Sequence, residues 1–210
     1  QGKQVISTGM TQEVARCRAA LDQVCQNRPT AIVCSGDSGI YALAGLVLEL
    51  IEERGLVGIA EVEIVPGIPA LAAAGASLGA PLMHDFASIS LSDLLTPWET
   101  IEKRVRAAAQ ADFVIVLYNP RSKTRTWQLE AVRSLVSQCR AGRTPVGVVK
   151  NASRNDEQVL LTTLEGLDPE LVDMKCIVLI GNSQTRRVGD WLLTPRGYAA
   201  KYDLAEHRGE

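Results

Sequence analysis

The residues best placed to do chemistry in this 210-residue chain lie in the stretch Ser35-Gly36-Asp37-Ser38-Gly39-Ile40-Tyr41. It follows the β-branched run Ala31-Ile32-Val33 and precedes Leu43, Leu46, Val47, Leu50 and Ile51 at helical spacing, so it reads as a strand-to-helix turn. Gly36 and Gly39 permit a sharp bend and a close approach to a ligand, while amides at a helix start offer donors. A phosphate loop would end in Lys and Ser or Thr, and a dinucleotide fingerprint would need three spaced glycines; neither is present. The Asp37 carboxylate repels phosphate and suits ribose hydroxyls or a cation. Asp37 or Ser38 could instead cap the following helix, and the sequence leaves both readings open.

Three further groups carry polar chemistry. Ser88, Ser90 and Ser92 fall at period-two spacing, on one face of a strand, with Asp93, Thr96 and Glu99 close behind. They are either a ligand-facing wall or an exposed polar face with helix caps. Arg121, Lys123, Arg125, Lys150 and Arg154 fall at or just after the ends of two expected strands, as a cationic cluster or as separately solvated charges. His84 and Asp85 sit in a break in the pattern, where His84 could shuttle protons or serve as a hydrogen-bonding spacer.

The elements that must position these groups alternate. A helix is expected from Thr11 to Arg28, with Val14, Cys17, Leu21 and Val24 on one face, then a strand over Thr30–Cys34 and a helix to about Arg54. A strand over Val62–Val65 leads to Pro66-Gly67, and Pro69 suits the first position of a helix of small residues, Ala70–Ser77. Gly79 to His84 breaks the periodicity and reads as a linker, which sets the expected domains at 1–83 and 84–210. The second domain is expected to hold strands 87–91, 113–118, 146–150, 159–163 and 176–180 and helices 97–110 and 126–140. Too little chain separates 150 from 159 for a crossover helix, so part of that sheet must be antiparallel. The fold class is α/β: a parallel sheet first, a mixed sheet second. The tail from Ala199 is expected to fray.

Composition excludes several classes. The chain is 46% hydrophobic and 22% charged with a net charge of −2, which gives no electrostatic footprint for nucleic acid or an anionic membrane. The most apolar stretch, Pro69–Met83, is too short to span a bilayer, and the start shows no signal peptide, which points to the cytoplasm. Cys17, Cys25, Cys34, Cys139 and Cys176 have no paired spacing and His84 and His207 are the two histidines, so no metal site is expected. The cysteines read as mostly reduced core residues.

Four blocks together are specific. Ser35–Tyr41, Val65–Ala70, Ser88–Glu99 and Leu117–Ser122, in that order across nearly the whole chain, resemble the conserved blocks of the tetrapyrrole methylases. That family normally opens with a strand and a Gly-Pro-Gly loop, which nothing here matches, so the chain is expected to be N-terminally incomplete. The resemblance implies S-adenosylmethionine as methyl donor, bound in a cleft between two α/β domains of a homodimer. Carried over by motif, it implies donor contacts from Ser35, Gly36, Asp37, Ile40, Pro69, Ala70, Asn119 and Ala152, mostly through backbone or packing. Pro69 has no amide hydrogen to offer.

Within the family, the resemblance points to methylation of C17 of precorrin-3B, or of its cobalt-loaded counterpart, with ring contraction, in cobalamin biosynthesis. Methylation of another precorrin carbon and a non-catalytic ligand-binding fragment are the alternatives. A methyl group leaves a sulfonium by in-line attack, so holding donor and acceptor about 3 Å apart is the main task and no covalent nucleophile is required. A carboxylate-rich acceptor calls for guanidinium forks, so Arg121, Lys123, Lys150 and Arg154, with Ser88, Ser90 and Ser92, are the implied tetrapyrrole-binding residues. His84 and Asp85 are the candidates for proton transfer in ring contraction.

Overall fold

The strands that organise the fold are nearly all apolar: Val114–Tyr118, Cys176–Ile180 and Pro145–Lys150. Such runs fit strands covered on both faces, since alternate side chains point to opposite sides. In the computed structural model, which describes residues 2–9 and 12–204, they lie at the centre of a five-stranded mixed sheet.

The chain forms two compact units, Gln1–Pro69 and Ala70–Glu210. In the first, α1 (Glu13–Val24) and α2 (Ala44–Glu53) pack through Cys17, Leu21, Leu50 and Ile51, with Leu43, Leu46 and Val47 beside them. An Arg54–Asp22 ion pair of 2.7 Å joins the two helices at the surface. Gly55 takes φ +66 after the last turn of α2, the left-handed ending that favours glycine. The expected helix start at Thr11 lies outside the described residues.

The expected strands Thr30–Cys34 and Val62–Val65 do not form. Among the described residues neither belongs to a hydrogen-bonded ladder, and Val33 is 85% exposed. A β-branched run becomes a strand only when a neighbour takes up its amides and carbonyls.

The second unit begins with α3 (Ala70–Leu78), so Pro69 precedes the helix and does not occupy its first position. The strand β1 (Gly79–Ala80) pairs in parallel with a later strand, where a linker was expected. Then come β2 (Phe86–Ser90), α4 (Trp98–Gln110), β3 (Val114–Tyr118), α5 (Gln128–Ser137), β4 (Pro145–Lys150) and β5 (Gln158–Thr163). After a 3-10 turn at Pro169–Leu171 follow β6 (Cys176–Ile180), β7 (Arg186–Val188), β8 (Trp191–Leu193) and α6 (Tyr198–Lys201). The main sheet has the order β2-β3-β6-β4-β5, with β2 and β3 parallel and the other pairs antiparallel; β1-β8-β7 form a small sheet. The antiparallel β4–β5 pair meets the expectation from the short connection.

Alternation along the central strands divides the core. Ile115, Leu117, Val146, Val148, Val178 and Ile180 face one cluster with Ile101 and Val105 of α4 and Leu129 and Val132 of α5. Val116, Tyr118, Val149, Ile177 and Leu179 face the other, with Ala74 and Leu78 of α3. α3 therefore packs on β4 and β6, within the second unit, although the sequence pattern assigned it to a first domain ending at residue 83. Cys17 and Cys176 are buried, whereas Cys25 and Cys139 are exposed and Cys34 is half-buried, so the expectation that most of the five lie in the core is corrected to two. No helix among the described residues is long and apolar enough to cross a membrane.

Two contacts set tolerances in this unit. A Cβ on Gly147 of β4 would stand 2.5 Å from both Leu78 methyls, in a site where Leu78 is fully buried. Arg140, 8% exposed, sends its guanidinium to the carbonyls of Gly181, Phe113 and Ala108, joining the ends of β6, α4 and the approach to β3. Burial pushes its pKa down and Asp112 opposes the shift.

Gly147→Ala is expected to cost about 1–3 kcal/mol by overpacking, and part of that loss should be recovered when Leu78→Ala is added; urea denaturation of the four-member cycle reads the coupling. Arg140→Met, which leaves three backbone carbonyls without their donor, should lower the urea-derived stability by roughly 3 kcal/mol; a loss below about 1 kcal/mol would remove Arg140 as a brace.

Candidate functional site

In the first unit two glycine turns are drawn together by one carboxylate. Gly39 donates its amide to Asp37 Oδ1 at 2.8 Å, and Gly67 donates to Asp37 Oδ2 at 2.9 Å. Ser38 Oγ donates to the Val65 carbonyl at 3.1 Å, a second tie between the same turns. The approach is so close that a Cβ on Gly67 would lie 2.2 Å from the Gly36 carbonyl oxygen. Gly36 itself takes φ +81, and Tyr41 takes φ +51, a conformation that non-glycine residues adopt mainly where the surroundings impose it.

The amides of Gly67, Gly39 and Ile40 hold the Asp37 carboxyl below its ordinary pKa, in that order of effect. It is therefore an ionised acceptor at neutral pH. Neither Asp37 nor Ser38 caps α2, which starts at Ala44 and has no side-chain cap. The carboxylate instead closes an Asx-type turn and clamps the second loop, leaving lone pairs and an exposed position from which to accept hydroxyl donors.

In the second unit the ends of β2, β3 and β4 share one edge of the main sheet, because β2 and β3 are parallel and β4 runs the same way across the antiparallel β6. Asn119 (φ +50), Asn151 (φ +53) and Ser153 (φ +59) all turn the chain through the left-handed region there. Asn119 Nδ2 donates to Ser90 Oγ at 3.0 Å, and the same oxygen accepts the Ser92 amide at 3.2 Å. Tyr118 Oη accepts the Leu71 amide at 2.8 Å, satisfying an open donor at the start of α3. Ala70 and Ala152 pack on the cluster that contains Tyr118, so this unit's three implied donor residues, Ala70, Asn119 and Ala152, surround one strand end.

The cations at this edge are mostly engaged. Arg121 meets Glu170 at 2.5 Å and Lys150 meets Asp173 at 2.9 Å; Asp173 raises the Lys150 pKa. Arg125 is buried: its guanidinium donates to the Asn119 carbonyl at 2.7 Å and meets Met174 Sδ at 3.2 Å, and burial lowers its pKa against the pull of Asp93. It braces the loop, and the surface cluster loses it as a member. Lys123 and Arg154 are exposed, with no ion pair among the described residues. Ser88 and Ser90 lie in β2 and Ser92 beyond its end, so the expected three-serine strand face is two residues long.

His84 and Asp85 stand at the other end of β2, roughly 16 Å of strand away from Ser90 and Asn119. His84 Nδ1 accepts the Asp85 amide at 2.8 Å, the spacer arrangement. The structure does not bring this pair to the strand-end group. Reading by motif missed Tyr118 as the support of α3 and Arg125 as the support of Asn119. Tyr118 acts across 47 residues of sequence, and Arg125, only six residues from Asn119, reads in the sequence as one more surface cation.

Comparisons with known proteins show the family and the fold. A family model described as Tetrapyrrole (Corrin/Porphyrin) Methylases matches residues 3–168. A probable cobalt-factor III C(17)-methyltransferase of Salmonella typhimurium is 51% identical over 93% of this chain and 80% of that one. A cobalt-factor III methyltransferase of Priestia megaterium is 47% identical over 96% of this chain, which spans 38% of that longer protein. Among solved structures, the methyltransferase CobJ superposes with a TM-score of 0.85 at 38% identity, over 90% of this chain and 79% of that one. A uroporphyrin-III C-methyl transferase from Thermus thermophilus, complexed with S-adenosyl homocysteine, superposes at 0.61 with 24% identity over 84% and 75% of the two chains, a likeness of fold. With a matching block order, a matching family model and relatives near half identical along almost its whole length, the chain belongs to the tetrapyrrole methylase family and has its α/β fold.

Proposed function

We propose that this chain transfers a methyl group from S-adenosylmethionine to C17 of cobalt-factor III, with contraction of the macrocycle, in cobalamin biosynthesis. The observation that carries the reading is the pair of glycine turns locked by Asp37, standing in the family's own blocks. The names of the relatives supply the acceptor and favour its cobalt-loaded form. A homodimer belongs to the same reading, on the strength of the family resemblance.

The residues suit the donor. An ionised, exposed carboxylate accepts hydroxyls such as those of a ribose, and a turn with open backbone amides accepts the polar edge of a base. When bound, the donor supplies an electrophilic methyl on sulfur. Asp37 keeps the turns of Ser35–Ile40 and Pro66–Pro69 in register, and Ala70, Asn119 and Ala152 present small or left-handed surfaces that let a ligand approach the backbone. Ser90 orients Asn119, and Arg125 fixes its carbonyl. Arg121, Lys123, Lys150 and Arg154 offer the charge that peripheral carboxylates of the acceptor require.

Incubation of the purified chain with methyl-labelled donor and cobalt-factor III under anaerobic conditions should place the label on C17 of a ring-contracted product. Label on another ring carbon overturns the regiochemistry, and a folded protein that fails to bind S-adenosylhomocysteine overturns the enzyme. In isothermal titration with S-adenosylhomocysteine, Asp37→Asn, which puts an amide nitrogen against one of two amide donors, should weaken binding about tenfold while helix content is kept.

The pH dependence has a definite sign. The folded pKa of Asp37 is depressed, so its clamp is complete above the ordinary aspartate range and is lost only as the pH falls through the lowered folded value. Carbon-detected NMR should find this carboxyl titrating below an unfolded-chain aspartate, and donor affinity should stay flat from neutral to mildly acidic pH.

A further inference from the structure

The second unit contains a cavity of about 680 Å³ that the proposed transfer chemistry does not use. It opens at the opposite edge of the main sheet, where β4 begins: Pro145 lines it, while Lys150, at the strand-end group, lies roughly 16 Å further along the same strand. Four arginines line it, Arg140, Arg143, Arg186 and Arg187. In a chain with a net charge of −2, that concentration is a local excess.

The excess is neutralised from within only in part, by Asp112 and Asp190 against four arginines. Asp112 lines the cavity, but its carboxylate accepts the amide of Ser183 at 2.9 Å and its hydroxyl at 2.6 Å. Arg187 is paired with Asp190 at 3.2 Å. Glu165 rests against Gly142 outside the lining. The side chains of Arg143 and Arg186 make no hydrogen bond or ion pair among the described residues. Arg140, more than nine-tenths buried, spends its terminal nitrogens on backbone carbonyls, has no carboxylate partner, and keeps its Nε without one. A buried guanidinium whose charge the nearby Asp112 offsets only in part, beside two that have no ion pair, is stabilised further by an anion that enters from solvent.

The size of the cavity fits a small organic ligand, and arginine forks fit the planar or tetrahedral oxygens of carboxylate and phosphate. We infer that this cavity binds a compact polyanion bearing two or more carboxylate or phosphate groups, held in the forks of Arg143 and Arg186 and in the field of Arg140. The site is separate from the strand-end group that carries Asn119, so its occupant does not compete with the methyl donor there.

Isothermal titration of the intact protein with pyrophosphate and, separately, with citrate tests this. Saturable binding of either probe with a Kd below about 1 mM is expected, and which probe binds assigns the ligand to the phosphate or the carboxylate class. The double substitution Arg143→Gln with Arg186→Gln should weaken that binding about a hundredfold, and Arg143→Lys with Arg186→Lys, which keeps charge and loses the forks, should fall between. S-adenosylhomocysteine affinity and melting temperature should be unchanged in both. The inference is overturned if neither probe binds, if the Gln variant binds as tightly as the parent, or if the substitutions abolish self-association without any anion binding, which would make the cavity a seat for acidic side chains of a second copy.

Discussion

Burial of β3, β4 and β6 on both faces is the constraint from which the second unit's geometry follows. A strand whose alternate residues enter two separate apolar clusters cannot slip by one position without exchanging the two sets. The register is thereby fixed, and with it the points at which Tyr118 and Lys150 end their strands. The polar groups just beyond are hung on those points: Asn119 is held from Ser90 and from Arg125, and the start of α3 is held from Tyr118. Loop geometry at this edge is a property of the core, passed outward through a few long side chains.

The first unit solves the same problem differently. It has no ladder among its described residues to set the spacing of its turns, and an exposed carboxylate takes that role by accepting amides from Gly39 and Gly67. The depressed pKa of Asp37 is the electrostatic record of those bonds, since amide donors favour the charged form. One residue thus combines a structural task, joining two turns, with a chemical one, presenting negative charge beside a bend that admits close approach. Of the alternatives left open by the sequence, the helix cap is not formed, and the clamp between two turns is a task that neither alternative included.

Much of the second unit was legible because its signals are local. Cys176–Ile180 is a strand with the expected bounds, and the remaining central strands and α4 shift by a residue or two at their ends. The short passage from Lys150 to Gln158 announced the antiparallel pair. What was illegible depends on partners distant in sequence. Gly79–Ala80 looks like a linker because its pairing with Leu192–Leu193 lies more than a hundred residues away, and Val62–Val65 looks like a strand because periodicity cannot reveal a missing partner. The residues proposed for the donor rest on family blocks, while Arg140 and Arg125, the buried arginines behind the two edges, carry no motif at all.

The two edges of the main sheet differ in how their positive charge is balanced, and this bears on what each can bind. At the strand-end group Arg121 and Lys150 already face Glu170 and Asp173, yet these carboxylates are 75% and 48% exposed. Ion pairs so open to solvent contribute little to stability, so a ligand carboxylate can replace Glu170 or Asp173 at small cost, and the pairs keep the arginine and lysine extended meanwhile. At the other edge Arg143 and Arg186 have nothing to exchange and Arg140 is already desolvated. An anion arriving there neutralises charge without displacing any. Exchange suits a substrate that must arrive and leave with every turnover, whereas a cavity with a cationic excess suits a ligand that stays.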